Sequence, residues 1–339
     1  MHPANPVRCS VLGAGTFGSC LALLLADKGY EVELWARDPK QVAAINQHHR
    51  NPRYLTHVRL PESIHATTSL EEAMRDREVV VSAVPSHVVR AIWTEAAPLL
   101  DPNALIVSAS KGIEIGTGKL TSQVLTELLP PPARERLTVF SGPTFARELA
   151  ERKPSSACVA CSNESFAIAA QSILSSPVLR CYSNTDVIGV ELAGALKNVM
   201  AIAVGCCEGM QLGLNARAAL ITRGLAEMRR LGEKLGANPV TFLGLAGVGD
   251  LVLTCTGDLS RNRSVGLEIG RGKPVAEVLA GLTQVAEGVR TARSAYELAQ
   301  KHGADMPITE ETYRVLHEGK DPRRAIHDLT ARQLRSETD

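Results

Sequence analysis

The sequence predicts an α/β protein in two parts, a doubly wound, mostly parallel sheet followed by an all-α domain. Strand-like apolar runs alternate with helical segments up to residue 185, which is the pattern of a parallel sheet with helices on both faces. After residue 186 we find no convincing strand, only Ala/Leu-rich helices separated by glycine-containing breaks. A chain of 339 residues is long enough for two domains. We therefore expect domains at residues 1–185 and 186–339.

The strands of the predicted sheet are short apolar runs. They lie at residues 7–12, 31–35, 79–84, 105–109, 137–140, 156–160 and 178–182. The run at 79–84 is almost wholly apolar, which suits a strand covered on both faces, and Pro85 ends it. The first helix is predicted at 17–28 and ends at Gly29, where a C-cap glycine belongs.

Composition and charge exclude several classes of function. The net charge is +1, so no global field favours nucleic acid or an acidic membrane surface. The polar N-terminus runs straight into the first strand without the pattern of a secretory signal. The apolar segment 187–205 contains Glu191, Lys197 and Asn198, which argue against a membrane span. We expect a soluble, cytoplasmic protein that binds a small molecule, with no nucleic-acid or integral membrane association.

Eight cysteines are spread over the chain, mostly inside apolar runs. In a reducing compartment such residues are buried free thiols. Cys158 and Cys161 have a zinc-like or redox-like spacing, but residues three apart in a predicted strand point to opposite faces. We therefore expect no metal site.

Gly13, Gly15 and Gly18 form a G-x-G-x-x-G sequence between the first predicted strand and the first predicted helix. Alone this motif is a weak signal, but a strand before it and a helix after it supply the required context. The glycines allow a tight turn and close approach of backbone N–H groups to a pyrophosphate, which the helix N-terminus stabilises. The alternative is a glycine-rich turn without a ligand.

Arg37 follows the second predicted strand, where a dinucleotide-binding fold selects the adenosine ribose. An arginine there can pair with a 2′-phosphate, whereas an acid would bind the free 2′-hydroxyl. The sequence thus favours NADP(H), with NAD(H) possible because Asp38 is adjacent. The alternative is a solvated surface arginine.

Hydride reduction of a ketone needs a positioned acid for the oxygen. None of the nine histidines lies in a sequence pattern typical of a catalytic acid. His87 is the best candidate among them, but it is more typical of a polar residue that lines a site. Lys111 at a strand end and Lys197 on an apolar helix are better candidates. Burial near a second cation would lower the lysine pKa toward the range useful for proton transfer. The alternative is a lysine that packs its aliphatic stem on the apolar helix and extends its ammonium group to water.

A candidate phosphate-binding segment follows residues 247–254. It contains Ser260, Arg261, Asn262 and Arg263. Arginine forks suit phosphate oxygens, and the serine and asparagine add neutral donors. The alternative is a basic surface turn.

Together these motifs resemble the bacterial-type soluble NAD(P)-dependent glycerol-3-phosphate dehydrogenases. The matching elements, in order, are the glycine fingerprint, 110–112, 141–146, 191–198, 249–254, 261–263 and 287–288. The resemblance runs from about residue 7 to about residue 320. It implies a Rossmann domain followed by a helical domain like that of 6-phosphogluconate dehydrogenase. It also implies interconversion of dihydroxyacetone phosphate and glycerol 3-phosphate for phospholipid synthesis, and a homodimer.

The resemblance assigns roles to individual residues. Lys197 resembles the proton donor and acceptor. Residues expected at the substrate are Lys111, Gly142, Thr144, Lys197, Asn198, Asp250, Thr254, Ser260, Arg261 and Asn262. Residues expected at the coenzyme are Gly13, Gly15, Thr16, Phe17, Gly18, Arg37, Lys111, Ala146, Arg261, Val285 and Glu287.

Two other functions fit parts of the pattern. A related β-hydroxyacid dehydrogenase would share the fingerprint and the helix lysine, but such enzymes space the lysine and asparagine one turn apart, whereas Lys197 and Asn198 are adjacent. A non-catalytic dinucleotide sensor would have no reason to keep Lys197, Lys111 and Arg261 together.

Overall fold

The first half of the chain forms one eight-stranded sheet in a computed structural model that describes residues 6–282, 286–334 and 336–337. The strands are β1 (Arg8–Leu12), β2 (Glu31–Trp35), β3 (Ile64–Thr67), β4 (Val79–Ser82), β5 (Leu105–Ser108), β6 (Leu137–Ser141), β7 (Ser155–Ala160) and β8 (Leu179–Asn184). Their order across the sheet is β3-β2-β1-β4-β5-β6-β7-β8. Strands β1 to β6 are parallel, and β7 and β8 run the opposite way because β7 pairs antiparallel with β6. The predicted mostly parallel sheet is confirmed.

The helices of the first half connect successive strands. They are α1 (Thr16–Asp27), α2 (Pro39–His48), α3 (Leu70–Met74), α4 (Val89–Ala96), α5 (Thr121–Leu128), α6 (Pro131–Arg134), α7 (Ala146–Ala150) and α8 (Glu164–Leu174). Two separate apolar cores cover the sheet: Val81 and Val107 belong to one, and Val80 and Ile106 to the other. Because successive residues of a strand face opposite sides, a strand covered on both faces must be apolar throughout, as the run at 79–84 predicted.

The second half is helical over the part of the chain that the structure describes. Its helices are α9 (Val187–Gly209), α10 (Gly213–Lys234), α11 (Asp250–Thr256), α12 (Arg261–Gly270), α13 (Val275–Ala280), α14 (Glu287–His302), α15 (Pro307–His317) and α16 (Pro322–Thr330). The predicted architecture of a sheet domain with a following all-α part is confirmed. One strand, β3, was not predicted, because it is a four-residue edge strand with His65 exposed in the middle.

Helix α9 is the centre of the helical half, and glycines let it touch α12 closely. A Cβ atom on Gly205 would lie 2.1 Å from the carbonyl oxygen of Arg263, and one on Gly266 would lie 2.0 Å from that of Ile202. No side chain fits at either crossing point, so the two backbones are in direct contact. This contact brings the N-terminal turn of α12 beside the polar residues of α9.

Helix α9 is the one described helix that is long and apolar enough to cross a membrane by length and composition. Of its most apolar window, 83% is buried inside the protein, as in the core helix of a globular fold. The eight cysteines are all free and buried, as predicted. Burial raises the pKa of Cys9 and Cys20 to about 12, so these thiols stay protonated and unreactive at neutral pH.

Candidate active site

The glycine fingerprint forms a tight turn from β1 into α1. Gly13 has φ +111°, and a Cβ atom on Gly18 would lie 1.8 Å from the carbonyl oxygen of Gly13. Gly15 is the N-cap of α1, and a Cβ atom there would meet no protein atom within 4 Å. A turn that needs glycine for its shape and leaves its outer side open at a helix N-terminus fits a pyrophosphate.

Two buried side-chain amides hold this turn in place. Gln41 Nε2 and Asn51 Nδ2 both donate to the carbonyl oxygen of Ala14, at 2.7 and 2.9 Å. Asn51 also donates to Ser19 Oγ at 2.9 Å and accepts from the Arg53 N–H at 3.1 Å. The sequence analysis missed this network, since a buried asparagine or glutamine has the same local pattern as an exposed one.

Arg37 lies exposed just after β2, at the end of the strand where the sequence placed it. The carboxylate of the neighbouring Asp38 already has partners within the protein. It caps α2 by accepting from the Lys40 N–H at 3.0 Å and pairs with Arg53 at 3.4 Å. Partial burial, together with the charges of Arg290 and Arg37, lowers the pKa of His87. His87 is therefore neutral at pH 7 and makes a poor proton donor, and this edge of the site is basic.

Lys197 and Lys111 meet at one buried carboxylate. Asp250, 1% exposed, accepts a hydrogen bond from Lys197 Nζ on Oδ1 and one from Lys111 Nζ on Oδ2, the latter at 2.9 Å. Lys197 also donates to Thr254 Oγ1 at 2.9 Å. Asp250 and Thr254 lie four residues apart on α11, so both face the same side of that helix. All four residues were expected at the site from the sequence, but the bridge that Asp250 forms between the two lysines was not predicted.

Burial is the main cause that lowers the pKa of Lys197, to about 8. The charge of Asp250 opposes this shift, and the charge of Lys111 adds to it. The predicted effect of Lys111 therefore has the right direction but is smaller than that of burial. Burial would raise the pKa of Asp250, but its two lysine partners outweigh burial and hold that pKa below its usual value. The cluster can exchange a proton near neutral pH while Asp250 stays ionised.

Buried amides extend the polar cluster toward α12. Asn262 Nδ2 donates to Asn198 Oδ1 at 2.9 Å, and the Gly288 N–H donates to Asn262 Oδ1 at 2.9 Å. A Cβ atom on Gly194 would lie 2.6 Å from Ser141 Oγ, so α9 approaches the end of β6 closely. Asn198, which follows Lys197 in the sequence, and Asn262 are thus held by hydrogen bonds in the interior of the helical half.

The segment 260–263 divides into parts with different roles. Ser260 caps α12 by accepting from the Arg263 N–H at 3.2 Å, and Arg261 occupies the first turn. Partial burial lowers the pKa of Arg261, while the nearby Glu287 raises it. Arg263 does not fit the predicted phosphate role, because its guanidinium already makes two hydrogen bonds to Glu208, at 2.9 and 2.6 Å, and one to Asp258. Its charge is neutralised within the fold.

The remaining predicted residues lie at strand ends and helix starts. Gly142 has φ +148°, and a Cβ atom there would lie 2.9 Å from Ala157 Cα, while its carbonyl accepts from Thr144 Oγ1 at 3.1 Å. Phe17 packs against Phe140 with ring centroids 5.8 Å apart. Thr16 and Ala146 begin α1 and α7.

Glu287, the first residue of α14, joins the helical half to the sheet half. Its Oε2 accepts from Ser86 Oγ at 2.8 Å, and burial is the main cause that raises its pKa. Ser86 was not singled out from the sequence, although it follows directly after Pro85, which ends the predicted strand at 79–84. Val285 lies outside the residues that the structure describes.

Comparisons with known proteins show which family this chain resembles. Residues 8–167 match the N-terminal model of NAD-dependent glycerol-3-phosphate dehydrogenase, and residues 186–327 match the C-terminal model. A curated glycerol-3-phosphate dehydrogenase (NAD(P)+) of Citrifermentans bemidjiense is 49% identical over 330 residues, covering 97% of this chain and 98% of the relative. That of Syntrophobacter fumaroxidans is 47% identical over 337 residues, covering 99% and 98%.

A solved structure has the same fold over nearly the whole chain. The glycerol-3-phosphate dehydrogenase of Coxiella burnetii superposes with a TM-score of 0.91 at 38% identity, covering 96% of this chain and 99% of that one. The two family models together, the curated relatives and the Coxiella burnetii structure each match this chain over almost its full length. The chain therefore belongs to the NAD-dependent glycerol-3-phosphate dehydrogenase family.

Proposed function

We propose that this protein interconverts dihydroxyacetone phosphate and glycerol 3-phosphate, with NAD(P)H as the hydride donor in the reducing direction. The observation that carries the proposal is the buried cluster in which Lys197 and Lys111 share Asp250. Lys197, with its pKa lowered to about 8, can give a proton to the carbonyl oxygen and take it back in the reverse reaction. Its ammonium also stabilises the negative charge that develops on that oxygen.

The coenzyme site consists of the fingerprint turn and the residues around it. The open side of Gly15 and the N-terminus of α1, which begins at Thr16 and Phe17, suit the pyrophosphate, and Arg37 suits a 2′-phosphate. When bound, the coenzyme supplies the hydride. We propose that NADP(H) is preferred and NAD(H) is accepted, because Asp38 is held as a helix cap and the groups around Arg37 are basic.

We expect Arg37→Asp to shift the preference from NADPH toward NADH, since it replaces the partner of a 2′-phosphate with a partner of the free hydroxyl. The measurement is kcat/KM for both coenzymes. Arg59→Asp, at another exposed arginine of the same half, is the control for a change of net charge. An unchanged NADPH/NADH ratio in the Arg37 variant would assign that residue to the surface only.

The substrate site lies between the lysine cluster and the start of α12. We propose that Arg261, Asn262 and Ser260 bind the phosphate group and that Lys111 and Asn198 orient the rest of the molecule. Gly142 and Thr144 close the site from the end of β6, and Thr254 holds Lys197. We assign Glu287, Ala146 and Arg261 to the part of the site where the coenzyme would adjoin the substrate.

We expect Arg261→Lys to weaken substrate binding although the charge is kept, because a fork with two parallel donors becomes a point charge. The loss should be roughly 1–3 kcal/mol in kcat/KM for dihydroxyacetone phosphate, the usual strength of charged hydrogen bonds. Arg271→Lys, just after the same helix, is the matched control, since Arg271 pairs with Glu268 at the surface. If kcat/KM in the Arg261 variant equalled that of the control, Arg261 would not bind the phosphate.

The function can be tested against its rivals in one assay. The purified protein is given NADPH with dihydroxyacetone phosphate, and separately with small ketoacids, and oxidation of the coenzyme is followed. Turnover of the phosphorylated ketone alone supports the proposal. Turnover of ketoacids would favour a β-hydroxyacid dehydrogenase, a reading that the curated relatives do not favour. Binding of NADPH without any turnover would favour a sensor.

Several broader properties are part of the same proposal. We place the domain boundary at residues 185 and 186, which is supported by the start of α9 after its N-cap Asp186. We also propose that the protein supplies glycerol 3-phosphate for phospholipid synthesis in the cytoplasm and acts as a homodimer. The support for these properties is membership of the family.

A further inference from the structure

Glu191 is a buried acid that forms no ion pair with a basic side chain among the described residues. It lies on α9, almost two turns before Lys197, and is 2% exposed. Over the described ranges, its hydrogen bonds come from neutral donors of α5: Thr121 Oγ1, Ser122 Oγ and, at 2.8 Å, the Ser122 N–H. Burial is the main cause that raises its pKa, and the hydrogen bonds with Ser122 and Thr121 lower that pKa by less than burial raises it. A charged carboxylate is costly in such a place, whereas a protonated one can be satisfied by hydrogen bonds.

The hydroxyl group of Thr121 has one hydrogen but two acceptors. Its Oγ1 contacts Glu191 Oε1, and it also lies 3.2 Å from the carbonyl oxygen of Ser110. If Glu191 were ionised, both neighbours could only accept, and one of them would lack a hydrogen from Thr121. If Glu191 carries a proton on Oε1, it donates to Thr121, and Thr121 donates to Ser110. Protonation of Glu191 therefore gives every group in this series of hydrogen bonds a partner.

This chain of hydrogen bonds ends at the residue before Lys111. The Ser110 hydroxyl donates to the carbonyl oxygen of Val84 at 2.6 Å, so the segment is held from two sides. Lys111 then reaches Asp250, whose other oxygen binds Lys197. Because Glu191 and Lys197 lie on the same helix, α9 carries one lysine and, through Thr121, holds the backbone that carries the other.

We propose that Glu191 is a protonated positioning residue, which uses Thr121 to fix Lys111 relative to Lys197. Glu191 itself does not contact substrate or coenzyme. It links the two halves of the protein through neutral hydrogen bonds and not through a salt bridge, so it adds no charge near the lysine cluster. The inference deepens the proposed function and rests on it for its kinetic readout, but not for its spectroscopic one.

The protonation state is tested by infrared spectroscopy of the intact protein at neutral pH. The difference between the wild type and Glu191→Gln should contain the carbonyl stretching band of a protonated carboxylic acid. A difference spectrum with carboxylate bands instead would overturn the proposal. This measurement needs no substrate, so it stands even if the protein does not turn over dihydroxyacetone phosphate; failure of the wild type to do so would count against the proposed function instead.

The positioning role is tested by kinetics. Glu191→Gln keeps a neutral side chain of the same shape, so its pH profile should keep the wild-type midpoint, whereas Glu191→Ala should lower kcat/KM for dihydroxyacetone phosphate by more than Glu191→Gln does. A shift of the Glu191→Gln profile to lower pH would show that a negative charge had been removed, and would overturn the inference.

A second pair of variants leaves Glu191 in place. Thr121→Val keeps the side-chain shape and removes the hydroxyl group, and should lower kcat/KM about tenfold, the scale of one or two lost hydrogen bonds. Thr126→Val is the matched control, because in the described part of the chain that hydroxyl group donates to Ser122 O within the same helix and makes no other hydrogen bond. Equal kinetics for the two threonine variants would contradict the positioning role even if the glutamate variants failed to fold.

Discussion

Replacement of Lys197 by methionine is expected to lower kcat by about 10²–10⁴, the usual scale of acid–base catalysis. Methionine keeps much of the aliphatic stem in a buried site but removes both the proton and the charge. The variant should still bind NADPH, because the fingerprint turn lies in the sheet half of the protein, far along the chain from α9. The measurement is steady-state kinetics beside a fluorescence titration with NADPH.

Lys301→Met is a suitable control, since Lys301 is exposed in the last turn of α14. A near-normal kcat in the Lys197 variant would remove that residue as the acid and transfer the role to Lys111. If NADPH binding were lost as well, circular dichroism would separate damage to the fold from an unexpected role in coenzyme binding.

Replacement of Asp250 by asparagine is expected to lower kcat for ketone reduction by about 10² near pH 8, because the reaction loses its protonated donor. Asp250 raises the pKa of Lys197 against the effects of burial and Lys111. Without that charge the pKa falls below about 8, and two lysines are left facing an uncharged amide. Lys197 is then neutral over more of the physiological range.

The sign of the pH effect follows from the protonation that each direction needs. Ketone reduction needs protonated Lys197, so its rate is full below the pKa of about 8 and falls as pH rises through it. In Asp250→Asn this fall should begin at lower pH. Asp258→Asn, at an exposed acid that pairs with Arg263, should leave the profile unchanged. An Asp250→Asn profile that kept the wild-type midpoint would show that Asp250 does not control the proton on Lys197.

The parts of the site that the sequence predicted are those with local patterns. The fingerprint glycines lie within six residues and follow a strand, and Lys197 and Asn198 are adjacent on one apolar helix. Each pattern can be recognised without knowing what packs against it. The alternation of strands and helices predicted the sheet for the same reason, and failed only at the four residues of β3.

The features that the sequence did not predict depend on contacts between distant segments. Lys111 and Asp250 are 139 residues apart, so the shared carboxylate appears only when the two halves meet. Arg263 was expected to bind phosphate because it lies in the same basic segment as Arg261. Its guanidinium instead pairs with Glu208, which is 55 residues away in the sequence, so the local pattern could not reveal the pairing. The amides of Gln41 and Asn51 were missed because polarity alone does not reveal burial.

Reduction of dihydroxyacetone phosphate by this protein places the hydride of the coenzyme on C2. The most direct test is to incubate it with dihydroxyacetone phosphate and NADPH carrying deuterium at the transferable nicotinamide position, and to analyse the product by mass spectrometry and NMR. The expected product is glycerol 3-phosphate with one deuterium at C2, and the Lys197→Met variant should form almost none of it in the same time. Unlabelled product, label at another carbon, or no product from the wild type would contradict it.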